Sequence, residues 1–337
     1  MRITILFALF FLASLNLAAQ TAEEYYYSGL AKFDLQDYIG AIQDFNKAIE
    51  LDPDYARAYY DRGYAKFELG EYRGAIQDFN KVIELNPNNA DAYSYRGDIK
   101  YQLGDYKRAI KDYNKAIELD PSNALAYYDR GYAKFELGEY RGAIQDFNKV
   151  IELNPSDELA YLCRGVTKKR LGDYKGAIQD YNKVIELNPN NADAYSYRGD
   201  IKYELGDYKR AIKDYNKAIE LDPSNALAYY DRGYAKFELG EYRGAIQDCG
   251  RAIELDPDYA RAYHLRRGAK YELGEYRGAI QDASRVIELD PSNALAYYGR
   301  GIAKYELGDK EGGCLDLSKA GELGEYEAYN LIKEYCQ

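Results

Sequence analysis

The chain has 337 residues, 47% of them hydrophobic and 30% charged, with a formal charge of −11 and one histidine. This balance supports a buried core but supplies no basic face for phosphates, which excludes nucleic acid as a main partner. A lone histidine builds neither a His-based metal site nor a histidine acid–base pair, and no Gly-rich phosphate loop follows a strand pattern, so no cofactor is expected.

The first element is residues 1–20, MRITILFALFFLASLNLAAQ. A basic Arg2, an apolar run and a small-residue end read as a cleaved secretory signal. The run is shorter and more polar than a spanning helix, with Thr4, Ser14 and Asn16 inside it. The expectation is therefore an exported protein, periplasmic or secreted, with no membrane span after cleavage. An uncleaved N-terminal anchor is the alternative.

From residue 22 on, the chain is periodic. All eight prolines (Pro53, Pro87, Pro121, Pro155, Pro189, Pro223, Pro257 and Pro291) fall 34 residues apart. A period of this size marks a solenoid of stacked supersecondary units. Repeats occupy 22–55, 56–89, 90–123, 124–157, 158–191, 192–225, 226–259 and 260–293. A degenerate ninth follows at 294–323, then a C-terminal capping helix at 324–337. No segment is left for a separate catalytic domain, so the chain is not expected to be an enzyme.

Within 56–89, Tyr59, Gly63, Phe67 and Leu69 and then Tyr72, Ala75, Ile76, Phe79, Val82, Ile83 and Leu85 recur at three- and four-residue spacing. Each half is therefore an amphipathic helix. Gly70 ends the first helix, Pro87 stops the second, and Asn88 or Asn89 caps the next. Duplication also acts at longer range: ADAYSYRGDIKY at 90–101 returns at 192–203, three repeats on.

The unit resembles the tetratricopeptide repeat family, whose pattern is W-x2-L-G-x2-Y…A-x3-F…P over 34 residues. Gly63, Ala75, Phe79 and Pro87 match it, while Tyr59, Arg62 and Lys66 stand where the pattern has Trp, Leu and Tyr. The resemblance covers the whole chain after residue 21. It implies an all-α fold, a right-handed α-solenoid of stacked helix-turn-helix units, with the first helices lining a concave groove. If the ninth repeat's second helix and the capping helix run antiparallel, Cys314 and Cys336 meet and form a disulfide. Cys163 and Cys249 read as small apolar fillers.

Three charged columns barely vary along the chain: Arg at 62 and its equivalents, Asp at 78 and Lys at 66. The Arg takes a position near the helix–helix contact and needs a partner there, so the columns read as structural pairs rather than a charge ladder. Carried over from the family, the groove holds Tyr60, Tyr64, Tyr128, Tyr132, Tyr230, Tyr234 and His264, with an acidic row from Glu68 to Glu306 beside it. Such a surface suits an extended peptide or an amphipathic helix with basic residues.

One stretch breaks the pattern. RGVTKKRLGD at 164–173 carries Lys169 and Arg170 where other repeats have Phe and Glu. The pair is either an anchor for an acidic group on a partner or relief of the acidic row, with Arg170 set between Glu136 and Glu204. The function expected from all of this is a non-catalytic protein- or peptide-binding scaffold outside the cytoplasm. A glycan or cell-wall binder, or an architectural spacer, is the alternative.

Overall fold

The protein is described here by a computed structural model covering residues 21–336; the segment read as a signal lies outside them. The described residues form nineteen helices and no strand. It is an all-α solenoid of helix-turn-helix repeats, each with an A helix and a B helix. The chain divides into two compact bodies, one ending at Ala160 and the other beginning at Tyr161.

In the first body the A helices are Ala22–Asp34, Ala56–Glu68, Ala90–Gln102 and Ala124–Glu136. Their B partners are Tyr38–Leu51, Tyr72–Leu85, Tyr106–Leu119 and Tyr140–Leu153. Turn chemistry explains the boundaries. Gly70 ends its A helix at φ 74°, a backbone region that costs residues with a Cβ. Asn89 and Asn123 then cap the next A helices through their side-chain oxygens, at 2.9 and 3.0 Å from the amides of Ala92 and Ala126. The fifth A helix, Glu158–Arg170, carries the division between the bodies.

The core of a repeat is a small residue on the A helix facing an aromatic on the B helix. A Cβ on Gly97 would lie 2.7 Å from the Tyr113 ring, so only glycine admits that ring. Phe45, Phe79, Tyr113 and Phe147 fill this slot in successive repeats and are buried.

The charged columns close the same interface. Arg62 donates to both oxygens of Asp78 at 3.0 and 2.5 Å, and Lys66 reaches the same carboxylate at 2.7 Å. The Arg62 guanidinium also lies over the Tyr59 ring and donates to Asn46 of the preceding B helix, tying three helices together. The Arg–Asp pairing recurs at Asp112, Asp146, Asp180, Asp214, Asp248, Asp282 and Asp316, all buried. The Arg and Asp columns are structural pairs.

In the second body the A helices continue as Ala192–Glu204, Ala226–Glu238, Ala260–Glu272 and Ala294–Glu306. The B helices are Tyr174–Leu187, Tyr208–Leu221, Tyr242–Leu255, Tyr276–Leu289 and Lys310–Glu322. The eighth repeat departs locally. Arg267 stands where other repeats have glycine, and it extends to Gly299 on the next A helix, where a Cβ would collide with the guanidinium.

The last helix, Ala328–Tyr335, covers the end of the array. Ala328 packs with Leu317 and Ala320, and Tyr335 stacks on Tyr305 with ring centres 4.1 Å apart. A disulfide joins Cys314 to Cys336, 22 residues apart. Cys163 and Cys249 are buried, and burial pushes the Cys249 thiol up to about 12. Closing a loop of this length contributes about 3 kcal/mol. Cys336→Ser should therefore raise amide exchange across 310–336 and leave the earlier repeats unchanged; equal exchange in both proteins would refute the stapling role.

Candidate functional site

The residues expected to line a groove lie on A helices, and those that touch between successive repeats are not 34 apart. They lie 31 residues apart, one repeat less about one helical turn, or 35 apart. Phe33, Tyr64 and Tyr95 form one 31-residue diagonal, with ring centres 5.3 and 5.0 Å apart. Tyr60 meets Tyr95 and Phe79 edge-on. Tyr60 and Tyr64 are both half-buried, and burial is the main cause raising their hydroxyl pKa values.

The next diagonal of the first body is Phe67, Asp98 and Asp129. With Tyr101, Gln102, Tyr113, Tyr128 and Tyr132 these residues enclose a cavity of about 370 Å³. Tyr128 and Tyr132 cross at 4.9 Å and share a 3.1 Å hydrogen bond between their hydroxyls. Tyr113 donates to Asp98 at 2.8 Å. None of the lining residues is basic. Burial raises Asp98 to about 6, and burial together with the Asp98 charge raises Asp129 to about 7.

The second body holds the same site, copied 102 residues on: Lys169, Asp200 and Asp231 take the diagonal. Tyr203, Glu204, Tyr215, Tyr230 and Tyr234 surround it with Leu227 and Arg261 in a cavity of about 460 Å³. Tyr215 donates to Asp200 at 3.1 Å, as Tyr113 does to Asp98. Here the acids have internal cations. Lys169 lies 3.2 Å from Asp200 and 3.2 Å from Glu204. Arg261 lies 4.7 Å over the Tyr230 ring, and its charge and that of Lys169 oppose the burial and Asp200 repulsion that raise Asp231.

The Lys169–Arg170 departure from the repeat pattern now has a place. Burial opposes the charge on Lys169, but Asp200 and Glu204 outweigh it and raise its pKa. Lys169 pairs with the neighbouring acids, whereas Arg170 is exposed on a cavity shared with Val166, Tyr181 and Tyr197.

The other groove residues are placed as follows. Tyr230 is buried, against Tyr234 and Tyr259, and Tyr234 is half-buried against Tyr203. His264 is half-buried beside Arg267 at 3.3 Å, and burial plus that charge lower it to about 4. It is neutral at physiological pH. Among the described residues no group of three His, Cys, Asp or Glu side chains is set to hold a metal ion, and no helix is long and apolar enough to cross a membrane.

Sequence reasoning missed Asp61, Asp129 and Asp231, which share one groove column with Tyr95 and Tyr197. The signal was present: where the A helix has Asp98 or Asp200, the B helix of that repeat has Tyr113 or Tyr215, a donor, in place of Phe. In the fifth repeat the A helix has Val166 there, and the buried Tyr181 hydroxyl has no partner among the described residues.

No curated protein matches this sequence. Among solved structures, YrrB, described as a TPR protein with an unusual peptide-binding site, is 27% identical. It aligns over 56% of this chain and 97% of its own, with a TM-score of 0.48. A tetratricopeptide repeat protein from Parabacteroides merdae is 23% identical over 74% of this chain and 99% of its own, with a TM-score of 0.55. The APC/C hetero-tetramer Cut9–Hcn1 is 15% identical over 94% of this chain and 76% of its own, with a TM-score of 0.53. The family model for the TPR repeat matches residues 29–70, 97–138, 169–201, 199–240 and 269–308. Models for the tetratricopeptide repeat match 56–89, 124–157 and 226–259, and also 79–111. Over more than half its length the sequence fits these models, and the chain belongs to the tetratricopeptide repeat family.

Proposed function

We propose that this protein is a non-catalytic interaction scaffold that works outside the cytoplasm and binds a polypeptide segment along its tyrosine-rich groove. The observation that carries this reading is the half-buried aromatic diagonal Phe33–Tyr64–Tyr95, matched in the second body by Tyr203–Tyr234. Half-buried tyrosines offer rigid contact area with a polar tip, at little cost in side-chain entropy. The Cys314–Cys336 disulfide and the signal-like residues 1–20 support export to an oxidising compartment.

The test is selection of peptides on the purified protein, followed by affinity measurement on a Tyr64→Ala, Tyr234→Ala variant whose helical circular dichroism is intact. The variant should bind selected peptides about tenfold more weakly, a loss near 1.4 kcal/mol. Unchanged peptide affinity, or selective binding on a glycan array without peptide binding, would overturn the reading.

A further inference from the structure

The two equivalent cavities differ in charge: the second has two cations and one acid, Glu204, that the first lacks. In the second body, Lys169 places an ammonium against Asp200, and Arg261 places a guanidinium over Tyr230 near Asp231. In the first body the equivalent positions are Phe67 and Leu159. Two of the three carboxylates, Asp98 and Asp129, are retained there with the tyrosines and the Tyr113 hydrogen bond; Gln102 stands where the second cavity has Glu204, and none of the lining residues is basic. The second cavity thus shows, within one molecule, what this arrangement of side chains holds when a cation is available.

We infer that the cavity lined by Asp98, Asp129, Phe67, Tyr101, Tyr128 and Tyr132 is a binding site for a basic side chain, the guanidinium or ammonium of an arginine or lysine presented by the peptide in the groove. Two acids set on adjacent A helices supply the charge, and aromatic faces supply cation–π walls. The cavity, at about 370 Å³, lies in the range of sites that enclose small ligands, roughly 300–1,000 Å³. Two carboxylates sharing a half-buried site repel each other, and a bound cation relieves that repulsion. The charge of −11 favours approach of a basic partner. A protein segment is the source that fits, because the cavity opens on the groove where the peptide lies. To that extent the inference rests on the proposed function.

The experiment uses small probes, so that its outcome is separate from that of peptide selection. N-acetyl-arginine amide, its uncharged isostere N-acetyl-citrulline amide, and spermidine are titrated into the protein and followed by the NMR resonances of labelled tyrosines. The arginine probe should bind at Tyr101 and Tyr132 about tenfold more tightly than the citrulline probe. Phe67→Lys, which copies Lys169, should abolish that binding. Asp129→Asn keeps the shape of the site and should weaken binding about tenfold. Lys169→Phe with Arg261→Leu should open the second cavity and raise the stoichiometry from one to two.

Equal binding of arginine and citrulline, or full binding by both Phe67→Lys and Asp129→Asn, would overturn the site. Tighter binding of spermidine than of the arginine probe at the same tyrosines would overturn the peptide side chain as its ligand. If the Tyr64→Ala, Tyr234→Ala variant loses peptides but keeps the arginine probe, the cavity stands apart from the groove surface. If peptide selection fails altogether while the probe binds, the groove reading fails and the cation site remains.

Discussion

Asp146→Ala should destabilise the first body by about 3–5 kcal/mol, because it strands two cations at a helix–helix contact. Asp146 is 3% exposed and accepts from Arg130 through both carboxylate oxygens, at 3.0 and 2.5 Å. Lys134 adds a third contact at 2.7 Å. The side chains of Arg130 and Lys134 are only 16% and 17% exposed, so water replaces the lost carboxylate poorly. Arg130 also stays fixed by Asn114 and the Tyr127 ring, which limits its escape. Replacing the pair together, as Arg130→Leu with Asp146→Leu, should cost less than Asp146→Ala alone, because one cation, Lys134, is then left without its acid instead of two. Urea unfolding of the three proteins measures this. A loss below about 1 kcal/mol for Asp146→Ala would mean the cations find water, and that the column behaves as surface ion pairs do.

The effect should spread. Units of a solenoid touch only their neighbours, so loosening one contact lowers the stability of the repeats that lean on it. Amide exchange should rise first in Ala124–Glu136 and Tyr140–Leu153, and then in the adjoining repeat.

The same physics decides how much of this molecule is legible in its sequence. The repeat is legible because its punctuation is chemical: Gly70 needs a positive φ and Pro87 cannot continue a ladder, so each copy marks its own ends. The Arg–Asp pairing is legible because an arginine at a leucine position near a helix contact must be answered by an acid. The groove was legible only by columns. Position 60 and its equivalents lie on A helices, but a side chain in one A helix touches the next 31 or 35 residues on, rather than 34. The column reading therefore set Arg170 between Glu136 and Glu204, when the ion pairs run from Lys169 to Asp200 and Glu204. It also passed over Asp129, whose environment is set by Asp98 on the neighbouring helix. The spacing of these contacts is a property of packing, and no single repeat contains it.

Asp129→Asn should stabilise the protein at pH 8 and not at pH 4. The sign follows from the proton. Burial and the Asp98 charge raise Asp129 from 3.8 to about 7 in the fold, and burial raises Asp98 to about 6. A carboxyl that holds its proton more tightly when folded contributes stability in full below about pH 4, and that contribution is lost as pH rises through 7. The wild type should therefore lose stability across pH 4–7 as the two acids ionise against each other. Burial pushes the Tyr101 and Tyr113 hydroxyls, which face them, further from ionisation. Asparagine carries no charge, so the variant should lack most of this slope. Because the site is only half-buried, the gain at pH 8 is put at about 1–2 kcal/mol. Thermal unfolding at pH 4, 6 and 8 reads it directly; parallel profiles for wild type and variant would show that the acids do not repel. A stabilising substitution here would also explain why the unmodified pair persists in a groove. Two ionised acids held close cost the empty protein stability and attract a cation, and Lys169 supplies that cation in the second body while the first leaves the place to a ligand.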